Sequence, residues 1–323
     1  MITNKLNVQI TNFRQPNGNH LHASFRCDSF DDKIKLISMA EFNTRFQIST
    51  PKIRHNSSKL DVFLNKVTKR ILGVKKSCNN SIARAHLGWY PITINIHLNA
   101  VKYWRRTYDM SSIPFLNAVY SHTNKYPSIW KDGVQNLLST NGLNYIWKNP
   151  CKYDHKTLLR IVRRRMTDIY FQQQQQELDS SKKLNEYNKY CRRTHKQPEY
   201  LTQIHDLRHR TTLTKLRTHT HCLQSETGSY IKTVDTNKYN CTNCDLKTPE
   251  TVMHFILECP WDKIIPSRKK LISILDEDIH EFSHKKSERY MKMILNCDIQ
   301  ERHIQTVYKF LHKMYSMRAN QIK

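Results

Sequence analysis

Six glycines in 323 residues, at positions 18, 73, 88, 133, 142 and 228, are too few for folds that depend on many tight turns. Large β-sandwiches, dinucleotide-binding βα turns and glycine-rich phosphate loops need backbone conformations or close approaches that glycine supplies at least cost. The expected fold is therefore mainly α, with helical domains joined by polar loops. A chain of this length can bury its own core in two or three domains without a disulfide scaffold.

Hydrophobic periodicity locates the helices. Leu60, Phe63, Leu64, Val67, Ile71 and Leu72 recur at helical spacing, with Lys66, Lys69 and Arg70 beside them. A second run, Ile94, Leu98, Val101, Trp104 and Tyr108, follows Pro91, and a third, Leu158, Val162, Met166 and Ile169, carries Arg163, Arg164 and Arg165. The last run, Val307, Phe310, Leu311, Met314 and Met317, reads as a core-packing helix in preference to a partner-binding face. Five consecutive glutamines at 172–176 open a polar stretch to about 199, which marks a boundary or an exposed helical extension. The expected division is an irregular N-terminal segment over 1–58, a basic helical region over 59–171, a polar connecting region over 172–214, a cysteine-bearing module over 215–265 and a C-terminal helical region over 266–323.

Charge points to a partner. Lys and Arg total 53 against 27 Asp and Glu, a formal net charge of +26, which is more than solubility requires and implies a polyanion such as RNA or DNA. A coding bias towards A and T would raise Lys along with Asn and Ile, but it explains less well the clusters Arg105-Arg106, Arg163-Arg164-Arg165 and Arg192-Arg193, whose forked donors suit phosphate. The expected nucleic-acid contacts are Lys69, Arg70, Lys75, Lys76, Arg105, Arg106, Arg163, Arg164 and Arg165, although a solvated face without a ligand is an equal reading of the triple Arg. Trp89, Tyr90, Tyr103 and Trp104 are interleaved with this charge and could stack on bases, yet Trp89 and Trp104 read first as core. The N-terminus lacks the apolar stretch of a secretory signal, and no run approaches the roughly 20 apolar residues that span a bilayer. The expectation is an intracellular protein of nucleus or cytoplasm without a membrane partner.

Among nine cysteines only one tight group occurs, so metal ligation in a reducing compartment is preferred to a disulfide framework. Cys241, Cys244, His254 and Cys259 form C-x2-C-x9-H-x4-C, a donor set that suits tetrahedral zinc with no open position and hence a structural role. The alternative is a chance grouping in a cysteine-containing loop. Thr248 is the expected helix cap, with Pro249 in the first turn, Glu250 near the positive helix end, and Val252, Phe255 and Ile256 facing a core. Lys247 and Lys263 are the expected counter-charges to three thiolates.

Two blocks resemble the C-terminal part of reverse transcriptases from non-LTR, LINE-like retrotransposons. One runs from Lys66-Val67-Thr68-Lys69-Arg70-Ile71-Leu72-Gly73 through His86-Leu87-Gly88-Trp89-Tyr90-Pro91 to Val101-Lys102-Tyr103-Trp104 and is similar to the region after the polymerase palm, the thumb. The other runs from Lys215-Leu216-Arg217 through Glu226-Thr227-Gly228-Ser229-Tyr230 to the four metal ligands and Pro260, with Ser229 where relatives tend to carry Arg. The resemblance implies a nucleic-acid-binding, zinc-containing piece with a polymerase region upstream. No palm with paired carboxylates for two Mg²⁺ ions is found, so no catalytic residue is assigned. Asp31-Asp32 reads as a solvated pair, and Asp276, Glu277, Asp278 and Glu281 as an acidic helix end or loop and not a nuclease centre. The competing readings are a zinc-stabilised helical scaffold for a protein partner and a divergent nuclease or a polymerase completed by another chain.

Overall fold

A computed structural model describes residues 53–109, 129–191, 196–232, 236–278 and 286–321. The chain divides into two units, 1–53 and 54–323, and apart from Ile53 the described residues belong to the second. Among them the regular elements are helices, and the sole β pairing is an isolated antiparallel bridge between Asn240 and Pro249. The mainly α expectation is met.

Helix α1, Ile53–Leu72, begins upstream of the periodic run that signals it. It ends in a Schellman motif: Gly73 takes φ +66°, its N–H reaches Arg70 O at 3.2 Å, and Val74 N–H reaches Lys69 O at 3.1 Å. The buried stripe of α1 is Leu64, Thr68 and Leu72, whereas Phe63, expected on the core side, is 59% exposed. Asn79 caps α2, Asn80–His86, by accepting from Ser81 N and Ile82 N. The cap of α3, Ile92–Asp109, comes from another helix, because Asp61 of α1 accepts from Ile92 N at 2.9 Å and Thr93 Oγ1 at 3.1 Å.

After α4, Ile129–Thr140, and α5, Asn144–Lys148, Asp154 caps the 26-residue helix α6, His155–Ser180. A first core forms where α3 and α6 pack with α4 and α5, and in it Leu138, Ile146, Leu158 and Val162 are fully out of water. Each such side chain contributes about 1.5–3 kcal/mol by burial. Trp104 belongs to this core, stacked on Trp147 with ring centroids 4.9 Å apart. The glutamine run lies inside α6, and the amide of Gln174 is buried, donating to Ser81 O at 2.7 Å.

Short helices α7, Asn185–Tyr190, and α8, Tyr200–Gln203, lead to α9, Leu207–Arg217, capped by Asp206. A single turn, α10, Gln224–Thr227, precedes the cysteine-bearing segment. Then α11, Ile265–Glu277, α12, Lys286–Asn296, and α13, Glu301–Ala319, close the described chain. In this second core α13 packs against both α9 and α11 through Ile304, Val307, Leu311 and Met314. A polar link joins α2 to α9, since buried Arg217 donates through Nε to His86 Nε2 at 3.2 Å while His86 Nδ1 lies 2.9 Å from Ile82 O.

Candidate metal centre

Cys241 and Cys244 sit in a narrow hairpin. Glu250 N–H donates to Tyr239 O at 2.8 Å and Cys241 N–H to Thr248 O at 2.9 Å, so the two arms hold the intervening turn in register. The backbone N–H of Asn243 points back at the Cys241 sulfur, which favours its thiolate.

The other arm continues into a helix that starts later than its sequence suggests. Thr251, not Thr248, receives the His254 N–H on its hydroxyl at 3.0 Å, and the carboxylate of Glu186 on α7 accepts from Val252 N at 3.1 Å and Met253 N at 3.4 Å. Glu250 consequently serves no helix dipole. It is buried and paired with Arg318. Val252, Phe255 and Ile256 are buried as expected. Over His254–Glu258 the helix widens to π geometry, closed by Cys259 N–H to His254 O at 2.7 Å.

The hairpin and the π turn bring the four ligand atoms within 4.8 Å of one another, close enough to hold one metal ion. Cys241 Sγ lies 3.7 Å from Cys259 Sγ, and Cys244 Sγ lies 3.5 Å from His254 Nε2. The other imidazole nitrogen, Nδ1, is 3.4 Å from Thr248 Oγ1 and 3.8 Å from a Glu258 carboxylate oxygen, partners that would orient the ring as outer-shell groups do in metal sites. Burial pushes the Cys241 and Cys259 thiols up and the His254 imidazole down, so without a cation both thiols favour their protonated form. One buried positive charge next to the cluster is Arg268 of α11, which donates to the backbone carbonyls of Phe255 at 3.0 Å, Ile256 at 2.8 Å and Cys259. These are the carbonyls left open where the helix ends. Lys247 and Lys263, expected to balance the thiolates, are both exposed.

The basic residues separate into two groups. Arg70, Lys76, Arg106 and Arg163 are exposed, and Arg164 is exposed with a loose 3.9 Å pairing to Asp168. Others are engaged by the fold: Lys69 Nζ donates to Lys76 O at 2.7 Å, Lys75 Nζ to His221 O at 2.8 Å and Arg165 Nε to Asn141 O at 3.0 Å. Arg105 departs from its expected exposure. At 7% exposed it lies against Trp104 in sequence and pairs with Asp109 in the next turn. Trp89 is half-buried, and Tyr90 and Tyr103 are exposed. Asp276, Glu277 and Asp278 end α11, where Asp276 pairs with Lys286 and Asp278 with His303. Asp31, Asp32, Arg192, Arg193 and Glu281 lie outside the described residues.

Sequence reasoning missed Arg268, Arg318 and Glu186, which act on the centre from other helices and carry no local pattern. It also passed over a second cluster, Glu186 with His219 and His221, whose ligand atoms likewise lie within 4.8 Å of one another. The His-x-His spacing was the one available signal. No described helix is long and apolar enough to cross a membrane. The chain matches no family model, no curated protein and no solved structure.

Proposed function

We propose that this chain binds RNA or DNA through a basic helical body braced by a structural zinc ion, and that it corresponds to the C-terminal part of a LINE-like reverse transcriptase without the polymerase palm. The observation that carries the reading is the spacing of the four ligand atoms. Around a tetrahedral zinc with Zn–S near 2.3 Å and Zn–N near 2.0–2.1 Å, sulfur pairs sit about 3.8 Å apart and sulfur–nitrogen pairs about 3.6 Å. In the structure one sulfur pair lies 3.7 Å apart and one sulfur–nitrogen pair 3.5 Å. Three thiolates and one imidazole select zinc over the hard cations, and four protein ligands leave no position for substrate.

Nucleic acid is supported by the net charge of +26 and by exposed guanidinium and ammonium groups at Arg70, Lys76, Arg106, Arg163 and Arg164. Such binding works mainly through phosphates, so affinity for mixed-sequence RNA and DNA falls by about 10³ or more between 50 and 200 mM salt when six or more phosphates are engaged. A salt titration by fluorescence anisotropy, run on protein with its metal content measured, tests both halves. Metal-free protein with unchanged circular dichroism rejects the zinc, and binding absent at low salt or indifferent to salt rejects the nucleic acid.

A further inference from the structure

The Cys3His centre does not use Glu186, His219 and His221, yet these three bring one ligand atom each to within 4.8 Å of the others. They come from two places in the chain: Glu186 from α7, and the two histidines from the loop between α9 and α10. His221 is fully buried, and its Nε2 has no hydrogen-bond partner. A buried ring nitrogen without a partner is costly, on the order of 1–3 kcal/mol, unless something supplies the missing interaction. His219 adopts φ +52°, a left-handed conformation that is uncommon for a residue with a side chain and gathers at functional sites. The two rings meet edge to face with centroids 4.7 Å apart.

We propose that Glu186, His219 and His221 hold a second divalent transition-metal ion, with zinc the best fit. Two imidazoles and one carboxylate are a donor set zinc accepts with its fourth position left to water. The surrounding groups are compatible. His219 hydrogen-bonds the backbone of Ser225, an outer contact of the kind that orients a ligating ring. The nearby ammonium of Lys183 is paired with Glu226 at 2.7 Å, and that of Lys75 with the backbone oxygen of His221. Coordination through His221 Nε2 requires Nδ1 to carry the ring proton, so the Leu223 N–H, now 3.3 Å from Nδ1, gives up that contact. Since Glu186 also accepts from Val252 N and Met253 N, an ion here would tie the loop between α9 and α10 to the start of the helix that bears His254.

The full chain purified without chelator, equilibrated with a small excess of zinc or Co²⁺ and freed of unbound metal, separates the two sites. Wild type is expected to hold two ions, His219→Asn one and Cys244→Ser one. Asn tolerates the left-handed backbone, so His219→Asn removes a ligand while the fold, followed by circular dichroism, persists. The Co²⁺ lost in His219→Asn should carry no thiolate charge-transfer band, and it should bind at least about tenfold more weakly than the four-ligand centre. Zinc should move His221 to the Nδ1–H form in nitrogen-15 spectra. One ion in wild type that His219→Asn retains overturns the proposal. One ion lost in His219→Asn and kept in Cys244→Ser would instead uphold it and reject the Cys3His centre.

Discussion

Arg318, in the last turn of α13, holds Glu250 with two parallel bonds, Nε to Oε1 at 2.6 Å and Nη2 to Oε2 at 2.9 Å, and the two side chains are only 2% and 1% exposed. Glu250 also accepts from Gln224 N at 2.8 Å, and Arg318 Nη2 lies 3.5 Å from Thr242 Oγ1 beside the first cysteine. The C-terminal helix is thereby fastened to the hairpin of Cys241 and Cys244 through one desolvated ion pair. Replacing Arg318 with Met leaves a buried carboxylate without its cation, which should cost about 3–5 kcal/mol in urea denaturation. Adding Glu250→Gln should recover part of that loss. A single-variant loss under about 1 kcal/mol would mean the pair behaves like an exposed one.

Metal removal should act locally. A structural zinc contributes on the order of 10–16 kcal/mol of apparent binding energy in small modules. Chelation, or Cys244→Ser, is expected to strip hydrogen-exchange protection from residues 239–259 while amides of α3 and α6 keep theirs. Equal protection with and without chelator would show that the hairpin holds itself together.

Gly228 reaches the metal hairpin without touching a ligand. A Cβ there would lie 2.5 Å from Lys238 O and 2.9 Å from Tyr239 Cδ1, so Gly228→Ala must shift the 3-10 turn, Thr236–Tyr239, that leads into Cys241. A metal affinity about tenfold weaker, about 1.4 kcal/mol, is expected in a competition titration. Gly133, within α4, has nothing within 4 Å of its added Cβ, and Gly133→Ala should stabilise by about 0.5–1 kcal/mol. Indistinguishable metal affinities for the two variants would remove the steric argument.

Acid should weaken the fold through His86. Burial, then the charge of Arg217, holds its pKa down at about 3, so the folded ring stays neutral while the unfolded one takes up a proton below about 6.5. Stability attributable to this group is therefore flat above that pH and falls as pH drops towards 3, by about 1.4 kcal/mol per pH unit. His221 is depressed in the same direction by burial. The slope of unfolding free energy between pH 5 and 6.5 should be shallower in His86→Gln than in wild type, and identical slopes would acquit the ring.

Arg105 and Arg106 should part company. Arg105 is buried and paired with Asp109, whereas Arg106 is exposed. Arg106→Gln is expected to leave the melting temperature unchanged and to lower the salt slope of duplex binding by about 0.9 if it meets a phosphate. Arg105→Gln should lower the melting temperature instead, and a reversed pattern would place the phosphate contact on the wrong side of α3.

The helices at 60–72, 94–108, 158–169 and 307–317 were legible because their apolar spacing is the period of the element itself. So was the grouping of Cys241, Cys244, His254 and Cys259, whose spacing is local. Phe63 misled because periodicity identifies a stripe without saying which edge of it meets a neighbour. Arg105 misled because clustered charge says nothing of which guanidinium folds back over Tyr108 and pairs with Asp109. Thr248 was displaced as cap because the hairpin claimed its carbonyl for Cys241 N–H, so the helix began after Thr251. Arg268, Arg318 and Glu186 were invisible for a common reason: each reaches the centre across a helix-to-helix contact that has no sequence period.

The wide winding of His254–Glu258 acts as a ruler. In an α-helix, residues five apart are rotated by about 140°, which would send the third sulfur away from the imidazole. Closing the backbone with a bond from Cys259 N–H to His254 O returns position 259 to the side from which 254 projects. The wide turn is thus what accommodates the fifth residue: deleting Leu257 would leave a four-residue step, turned by about 40° in ordinary α winding, and the two donors would still project from one side.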